Sequence, residues 1–192
     1  MILKAYKKLM SFAFLTKSSI KIVFLPDFLE SKSGDLKIRG ANSDEIDEIN
    51  NIYEKLNFQS LSKYQRIQFK LHSKKTTIVA EQYVEGIKRL VGMDMYYLNP
   101  RDFSEGTIHE GFIGVLPESE GQGVATQMRK QAIEHFRSAG FKGISTRISK
   151  NNLGSLISAK KLGFEPVEEY FDSIMSEDRY YLICNLRNES DK

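Results

Sequence analysis

The sequence predicts an α+β protein in which helices flank a mixed, mostly antiparallel, twisted sheet. Two β-rich runs, at 76–84 and 89–98, are separated only by a short turn containing Glu85 and Gly86, which is typical of an antiparallel hairpin. A strand, a long helix and another strand follow between residues 107 and 148, as in an αβ crossover. Two further β-rich runs close the chain. Adjacent strands combined with such crossovers are typical of the α+β class.

The composition is that of a folded globular protein with one main domain. The chain has 192 residues, 41% hydrophobic and 28% charged, which argues against disorder. Its only cysteine, Cys184, excludes a disulfide framework and a multi-cysteine metal site, so we expect no metal. The net charge is +3, and residues 1–35, with six lysines and three acidic residues, account for all of it. The neutral remainder predicts no nucleic-acid partner.

Residues 1–35 are therefore predicted to form a basic N-terminal extension before a domain at 36–190. Apolar and basic side chains segregate at helical spacing between residues 3 and 14, which predicts an amphipathic helix. We expect it to dock on the domain or on a second subunit of a homodimer; binding to a membrane surface is the less favoured alternative. Residues 20–25 read as an edge strand and residues 31–35 as a linker.

The apolar run Leu9–Thr16 is too short for a membrane span, which needs about 20 apolar residues. It also lacks the longer apolar core and the cleavage site of a signal peptide. The expected localisation is therefore cytoplasmic.

The elements of the domain follow from hydrophobic periodicity, caps and glycine stops. Asn42 or Ser43 caps a helix with Ile46, Ile49 and Ile52 on one face. The other predicted elements are strand 36–40, helix 61–71, strands 76–84 and 89–98, a loop at 99–102, strand 107–115, helix 122–139, strand 142–148, a helix from Asn152 to about Gly163, and strands 164–171 and 179–186.

Chemistry is indicated where the strand ending at Val115 meets the next helix through a loop containing Gly121 and Gly123. Glycines allow a tight turn and a close ligand approach. The free N–H groups of a first helical turn attract anions, so the unit could hold a phosphate or a pyrophosphate. It lacks the Gly-Lys-Ser/Thr of a Walker loop and the spacing of a dinucleotide fingerprint. A plain helix entrance is the alternative.

The wider context resembles the GNAT superfamily of acyl-CoA-dependent N-acetyltransferases. The resemblance rests on Val115-x-Pro-Glu, Glu120-Gly-Gln-Gly-Val-Ala125, Gly140-Phe-Lys-Gly-Ile, and Asn152 followed by Gly163-Phe164, and it covers about residues 36–186. It implies a GNAT-like sheet and acetyl-CoA as cofactor. By the same resemblance, the residues expected at the CoA are Val115, Leu116, Glu120, Gly121, Gln122, Gly123, Val124, Ala125, Thr126 and Asn152.

Three positions depart from the family pattern. Glu120 stands where the family has Gln or Arg, which disfavours a pyrophosphate unless the carboxylate points away. Ala159 stands where relatives often carry a tyrosine that protonates the leaving thiolate, and Ser155 replaces a common alanine. The general acid could therefore be a water molecule, Ser155 or another tyrosine such as Tyr170.

The resemblance implies direct transfer of an acetyl group to a primary amine, without a covalent enzyme intermediate. His109, six residues before Val115, is the candidate base, since a histidine suits proton transfer near neutral pH. Glu110 is the second candidate, and a bystander histidine is the alternative. We expect a small-molecule amine, with a protein N-terminus, a lysine, or a non-catalytic acyl-CoA-binding module as alternatives. The candidates for lining the acceptor site are Tyr96, Tyr97, Arg101, Asp102 and Tyr170.

Overall fold

The computed structural model describes residues 14–84 and 86–187, and an eight-stranded sheet lies at its centre. Within these residues every strand pair is antiparallel except β5–β6, which is parallel, and this confirms the predicted mixed, mostly antiparallel sheet. The elements are α1 (14–23), β1 (Ser31–Ser33), β2 (Leu36–Gly40), α2 (Ile46–Asn57), α3 (Lys63–Thr76), β3 (Thr77–Val84), β4 (Ile87–Tyr97), α4 (Pro100–Glu105), β5 (Thr107–Val115), α5 (Val124–Ser138), β6 (Gly143–Ser149), α6 (Leu153–Lys160), β7 (Phe164–Asp172) and β8 (Glu177–Asn185).

The spatial strand order is β1-β2-β3-β4-β5-β6-β8-β7, and α5 connects the two parallel strands. Helices α2 and α3 cover one face through a core that includes Ile49, Phe69 and Met93. Helices α5 and α6 cover the other face through a core that includes Met128 and Phe136. Helices thus cover both faces of the central strands, and the junction between β5 and β6 lies between the two layers. Within the described residues, no helix is long and apolar enough to cross a bilayer.

The N-terminal segment differs from its prediction in two ways. The expected strand at 20–25 is wrong, because residues 14–23 are helical. Within this helix Ser18 and Ile22, four residues apart, are buried, whereas Ile20 and Val23 are exposed, so burial follows the helical period rather than strand alternation. The edge strand is instead β1, inside the expected linker, where Ser31 pairs with Ile38. The predicted helix at residues 3–14 lies almost wholly outside the described residues.

The expected loop at 99–102 is also wrong, because α4 begins there. The Asn99 side chain accepts a hydrogen bond from the Asp102 backbone N–H at 3.0 Å, and Pro100 is the first helical residue. An N-capping asparagine followed by proline is a known helix start, so the signal was present in the sequence. Helix α4 holds the Asp102 side chain against β5, where it accepts a hydrogen bond from the Thr107 hydroxyl.

Candidate active site

The two parallel strands pair only over their first four residues and then separate. Pairing runs from Thr107 with Gly143 to Glu110 with Thr146. The β4–β5 register shifts at the same place, leaving Gly111 as an extra, bulged residue. A bulge bends its strand, and glycine suits this position because a Cβ would lie 2.3 Å from the Tyr97 ring and would force it to move. Residues 111–115 therefore border a gap on the β6 side, and their backbone groups facing it are not paired with β6.

The glycine loop lies at the open end of this gap. Gly121 and Gly123 have φ angles of 74° and 77°, which favour glycine over other residues. Gly123 precedes the first turn of α5, and no side chain of the described residues caps that turn. A Cβ at either glycine would meet nothing within 4 Å among the same residues, so the space above the loop is open. Free N–H groups facing open space fit a pyrophosphate.

Side-chain hydrogen bonds brace this loop against β3. The Ser119 hydroxyl donates to Gln82 Oε1 at 3.0 Å, and Gln82 Nε2 donates to Gln122 Oε1 at 3.3 Å. Glu120 is exposed, so its carboxylate has room to point into solvent and away from a bound anion. These contacts hold the loop in shape without using the N–H groups of the first helical turn.

The remaining residues expected at the CoA surround the same gap. Val115 is partly exposed at its edge, whereas Leu116 is buried and donates its N–H to Val91. Val124 is buried and Ala125 is partly exposed. The Thr126 hydroxyl lies 3.3 Å from that of Ser158, linking α5 to α6. Asn152 is exposed, and its side chain caps α6 by accepting from the Ser155 N–H at 3.0 Å.

His109 lies one residue before the last paired position and is only 2% exposed. Its Nδ1 is 2.6 Å from the Ser145 hydroxyl, which in turn donates to Asp102 Oδ1 at 2.5 Å. The same carboxylate oxygen accepts from Thr107 and Tyr181. Because the serine has one proton and gives it to Asp102, Nδ1 must be the protonated nitrogen. The Nε2 lone pair is then free to accept a proton.

Burial lowers the pKa of His109 to about 4, although Asp102 opposes this effect. The imidazole is therefore neutral at physiological pH. Its ring stands edge-on to Tyr97, with the centroids 5.1 Å apart, and is stacked near Tyr181. The histidine is thus a buried, uncharged group held by contacts on both sides of its ring.

Glu110 points to the opposite face of β5 and is bound by Arg129. Both guanidinium–carboxylate hydrogen bonds measure 2.8 Å, and both side chains are 1% exposed. Arg129 also donates to the Ser155 backbone oxygen and hydroxyl, each at 3.2 Å. Nearby, burial and then Glu110 raise the pKa of Asp94 well above its usual range, and the Tyr96 hydroxyl donates to Asp94. Both oxygens of Glu110 are occupied, and Tyr96 belongs to this buried cluster.

The opposite face carries the other aromatic residues. Tyr97 is 45% exposed and borders a cavity of about 400 Å³ between α3 and the β4–β5 strands. Tyr96, Gly111 and Phe112 also line this cavity, and α1 contributes to its wall, so the cavity reaches the point where β5 leaves β6. Arg101 is paired with Glu105 and Glu168, and its guanidinium lies over the Tyr181 ring. Among the described residues, the lining of the cavity contains no charged side chain.

Sequence reasoning missed four residues of this arrangement. Gly111 forms the bulge, Ser145 connects His109 to Asp102, Arg129 holds Glu110, and Arg147 follows the last β5–β6 pair. One signal existed for Arg129: it lies one residue after the buried Met128 and three before the buried Ala132, on the core face of α5. A charge on a core face is paired in folded proteins, so a buried carboxylate was implied.

Comparison with known proteins identifies the fold. The profile of the Acetyltransferase (GNAT) family matches residues 44–164, more than half of the chain. The chain therefore belongs to the GNAT family of acetyltransferases, whose acyl donor is acetyl-CoA. No curated protein matches in sequence.

Solved structures agree with this assignment. A chain of the NatC complex bound to Gag peptide and CoA is similar at a TM-score of 0.71 and 17% identity, over 80% of this chain and 99% of that one. Ribosomal-protein-S5-alanine acetyltransferase from Vibrio fischeri is similar at 0.67 and 16%, over 83% and 98%. The putative acetyltransferase yncA from Salmonella typhimurium, with acetyl-CoA, is similar at 0.65 and 17%, over 81% and 96%. At these identities the likeness shows the fold.

Replacing Gly123 with alanine is expected to weaken acetyl-CoA binding about tenfold, because the added Cβ enters the space open to the pyrophosphate. Isothermal titration calorimetry would measure the dissociation constant. Gly140→Ala is the matched control: Gly140 has a φ of 80°, its Cβ would meet nothing within 4 Å among the described residues, and it follows the other end of α5. Both variants should lose similar stability. Unchanged acetyl-CoA affinity in Gly123→Ala would contradict the assignment of the loop.

Proposed function

We propose that this protein transfers the acetyl group of acetyl-CoA to a primary amine of a small molecule by direct attack of the amine on the thioester. The observation that carries the proposal is the position of His109. A neutral imidazole with a fixed proton lies at the point where β5 and β6 separate, below a loop suited to a pyrophosphate. A base and a donor site in one gap are what amine acetylation requires.

The protein's contribution to donor binding would come from backbone groups. The first-turn N–H groups of α5 would bind the pyrophosphate, and the unpaired edge of residues 111–115 would pair with the pantetheine arm. A thioester held in this way would lie near Gly111, within the gap. Backbone N–H groups of β5 facing the gap would stabilise the oxyanion. Because these groups are dipoles, the body of the protein needs no net positive charge.

In the transfer step, the amine nitrogen bonds to the carbonyl carbon and the carbon–sulfur bond breaks. The attacking nitrogen becomes acidic as it gains positive charge, so a base of low pKa is sufficient to take its proton at that stage. His109 Nε2 accepts this proton, while Ser145 and Asp102 stabilise the resulting imidazolium. The leaving thiolate takes a proton from Ser155, Tyr170 or a water molecule. The Ser155 hydroxyl is polarised by Arg129.

The cavity beside Tyr97 supports a small acceptor. Its volume of about 400 Å³ suits a small molecule, and its lining of hydroxyl, amide, aromatic and aliphatic groups disfavours a polyanion. A peptide N-terminus is the alternative acceptor, since one similar structure holds a peptide and another is named for acetylation of a ribosomal-protein alanine. The two acceptors differ in size, which makes them separable by experiment.

The test is an acetylation screen with acetyl-CoA and a panel of small amines, lysine peptides and peptides with free N-termini, read by mass spectrometry. An increase of one acetyl group on a small amine, with stoichiometric thiol release, is the expected result. Acetylation confined to peptides would replace the small-molecule acceptor with the alternative. Acetyl-CoA binding in calorimetry without turnover on any amine would overturn catalysis in favour of an acyl-CoA-binding module.

A further inference from the structure

Arg147 occupies a distinctive place in the gap. It is the first residue of β6 after the last pair with β5, which joins Glu110 to Thr146. His109 pairs with Ser145, so the alternation of side chains puts Arg147 on the same face of the sheet as Ser145 and His109. Arg147 lies two positions after Ser145, so their Cα atoms are about 6.6 Å apart along the strand. The guanidinium is thus carried close to the base, on the side where the acceptor cavity opens.

The charge of Arg147 is not neutralised by the protein. Its side chain is exposed, and no acidic residue in the described part of the chain forms an ion pair with it. The neighbouring arginines differ: Arg101 is paired with Glu105 and Glu168, and Arg179 with Asp172 and Glu177. Arg147 contacts the Tyr181 ring only distantly, with 5.9 Å from guanidinium carbon to centroid. A cation is therefore available at this place.

A second donor lies close by. The Tyr170 hydroxyl is buried and has no hydrogen-bond partner among the described residues. Burial raises the pKa of Tyr170 and of Tyr97 and lowers the pKa of His109. The nearby positive charge of Arg147 acts to lower the pKa of all three groups. The register agrees: Arg147 pairs with Tyr181 and Tyr170 with Arg179 across β6, β8 and β7, so Arg147 and Tyr170 lie on the same face of the sheet. An unpaired cation and an unpaired hydroxyl together form a site for an anion.

We propose that Arg147, assisted by the Tyr170 hydroxyl, binds a carboxylate that the acceptor carries close to its reactive amine. The acceptor class is then a short amino acid, with its amine at His109, its carboxylate at Arg147 and its uncharged remainder directed to the cavity beside Tyr97. This inference rests on the proposed function, which supplies the amine and the donor. The separation of the two residues along the sheet suits a molecule in which few bonds separate amine and carboxylate.

The test compares L-α-amino acids with their carboxamides, which keep the amine and remove the charge. For the best amino-acid substrate, the wild-type protein should show a kcat/KM at least about tenfold above that for the corresponding carboxamide. Arg147→Gln should lower kcat/KM for the acid about 10–100-fold, mainly through KM, and leave the amide unchanged; Arg147→Lys should retain part of the preference. Arg89→Gln, an exposed arginine on β4, is the control.

Calorimetric titration of the protein–CoA complex with the same acids and amides separates the two proposals. Selective binding of the acid that is lost in Arg147→Gln supports the carboxylate site even if no acetyl transfer occurs. Equal binding and equal turnover of acid and amide in the wild type would overturn it, while leaving acetylation itself intact. An equal loss for acid and amide in Arg147→Gln would also overturn it, because the arginine would then act only on structure.

Discussion

Replacing Arg129 with methionine should lower the free energy of unfolding by about 3–5 kcal/mol, the usual cost of removing one partner of a buried ion pair. Arg129 and Glu110 are each 1% exposed, and both guanidinium–carboxylate contacts are 2.8 Å. Removing the arginine leaves the Glu110 carboxylate without its partner, beside the buried Asp94. Urea denaturation followed by circular dichroism would measure the change.

Two further variants make the Arg129 result specific. Arg101→Met removes an arginine whose ion pairs are exposed, and its effect should be about 0–1 kcal/mol, as is usual for surface pairs. Combining Arg129→Met with Glu110→Gln should restore part of the lost free energy of unfolding, because the double variant no longer buries an unpaired carboxylate. A destabilisation of Arg129→Met no larger than that of Arg101→Met would contradict a buried, paired charge.

Replacing His109 with glutamine should reduce kcat by about 10²–10⁴-fold, the contribution typical of a general base, with little effect on acetyl-CoA affinity. Glutamine keeps a polar group facing Ser145 but cannot accept the amine proton. His135→Gln is the matched control, because His135 is also buried with its pKa lowered to about 4 by burial, but it packs against Phe28 at the end of α5 away from the gap. Equal activity of the two variants would remove His109 from the mechanism.

The low pKa of His109 also predicts how stability depends on pH. In the folded protein its pKa is about 4, and in the unfolded chain it is close to the ordinary value of 6.5. The unfolded state therefore binds the proton more tightly, and the free energy of unfolding should fall as pH decreases from about 6.5 to 4. The maximal contribution is about 3 kcal/mol. His109→Gln should show a shallower decrease in urea titrations over this range, and an unchanged decrease would contradict a buried neutral imidazole.

The features recognised in the sequence were those encoded by local chain geometry. Strand 107–115 was predicted with the bounds that the structure shows, because its β-rich run ends at a glycine loop. The glycines at 121 and 123 indicated positive φ angles before a helix, and both are present. The prediction of a strand at 20–25 was wrong because it rested on β-branched residues, whose strand preference depends on context. The burial of Ser18 and Ile22 on one face of a helix depends on tertiary packing, which the local sequence does not show.

The catalytic proposal shows the same division. The sequence singled out His109 through its distance from Val115, and Asp102 was considered only as part of an acceptor loop. The connection between them depends on Ser145, which is 36 residues from His109 and 43 from Asp102. Such a chain of hydrogen bonds exists only after β6 pairs with β5 and α4 folds against both. No local sequence pattern predicts this hydrogen-bond chain, because it forms only when side chains from β5, β6 and α4 come together.

By itself, the sequence predicted an α+β fold with a glycine loop before a helix, since periodicity, turn residues and helix starts are local properties. Its resemblance to the GNAT superfamily implied acetyl transfer. The tertiary structure alone decided what that loop faces. Pairing of β5 with β6 stops at Glu110 because Gly111 bulges, and this opens the gap that brings His109, Ser145 and Arg147 together. The same folding buries Glu110 against Arg129 on the other face. Strand register is a long-range property, so only the assembled sheet could separate His109 from the buried ion pair.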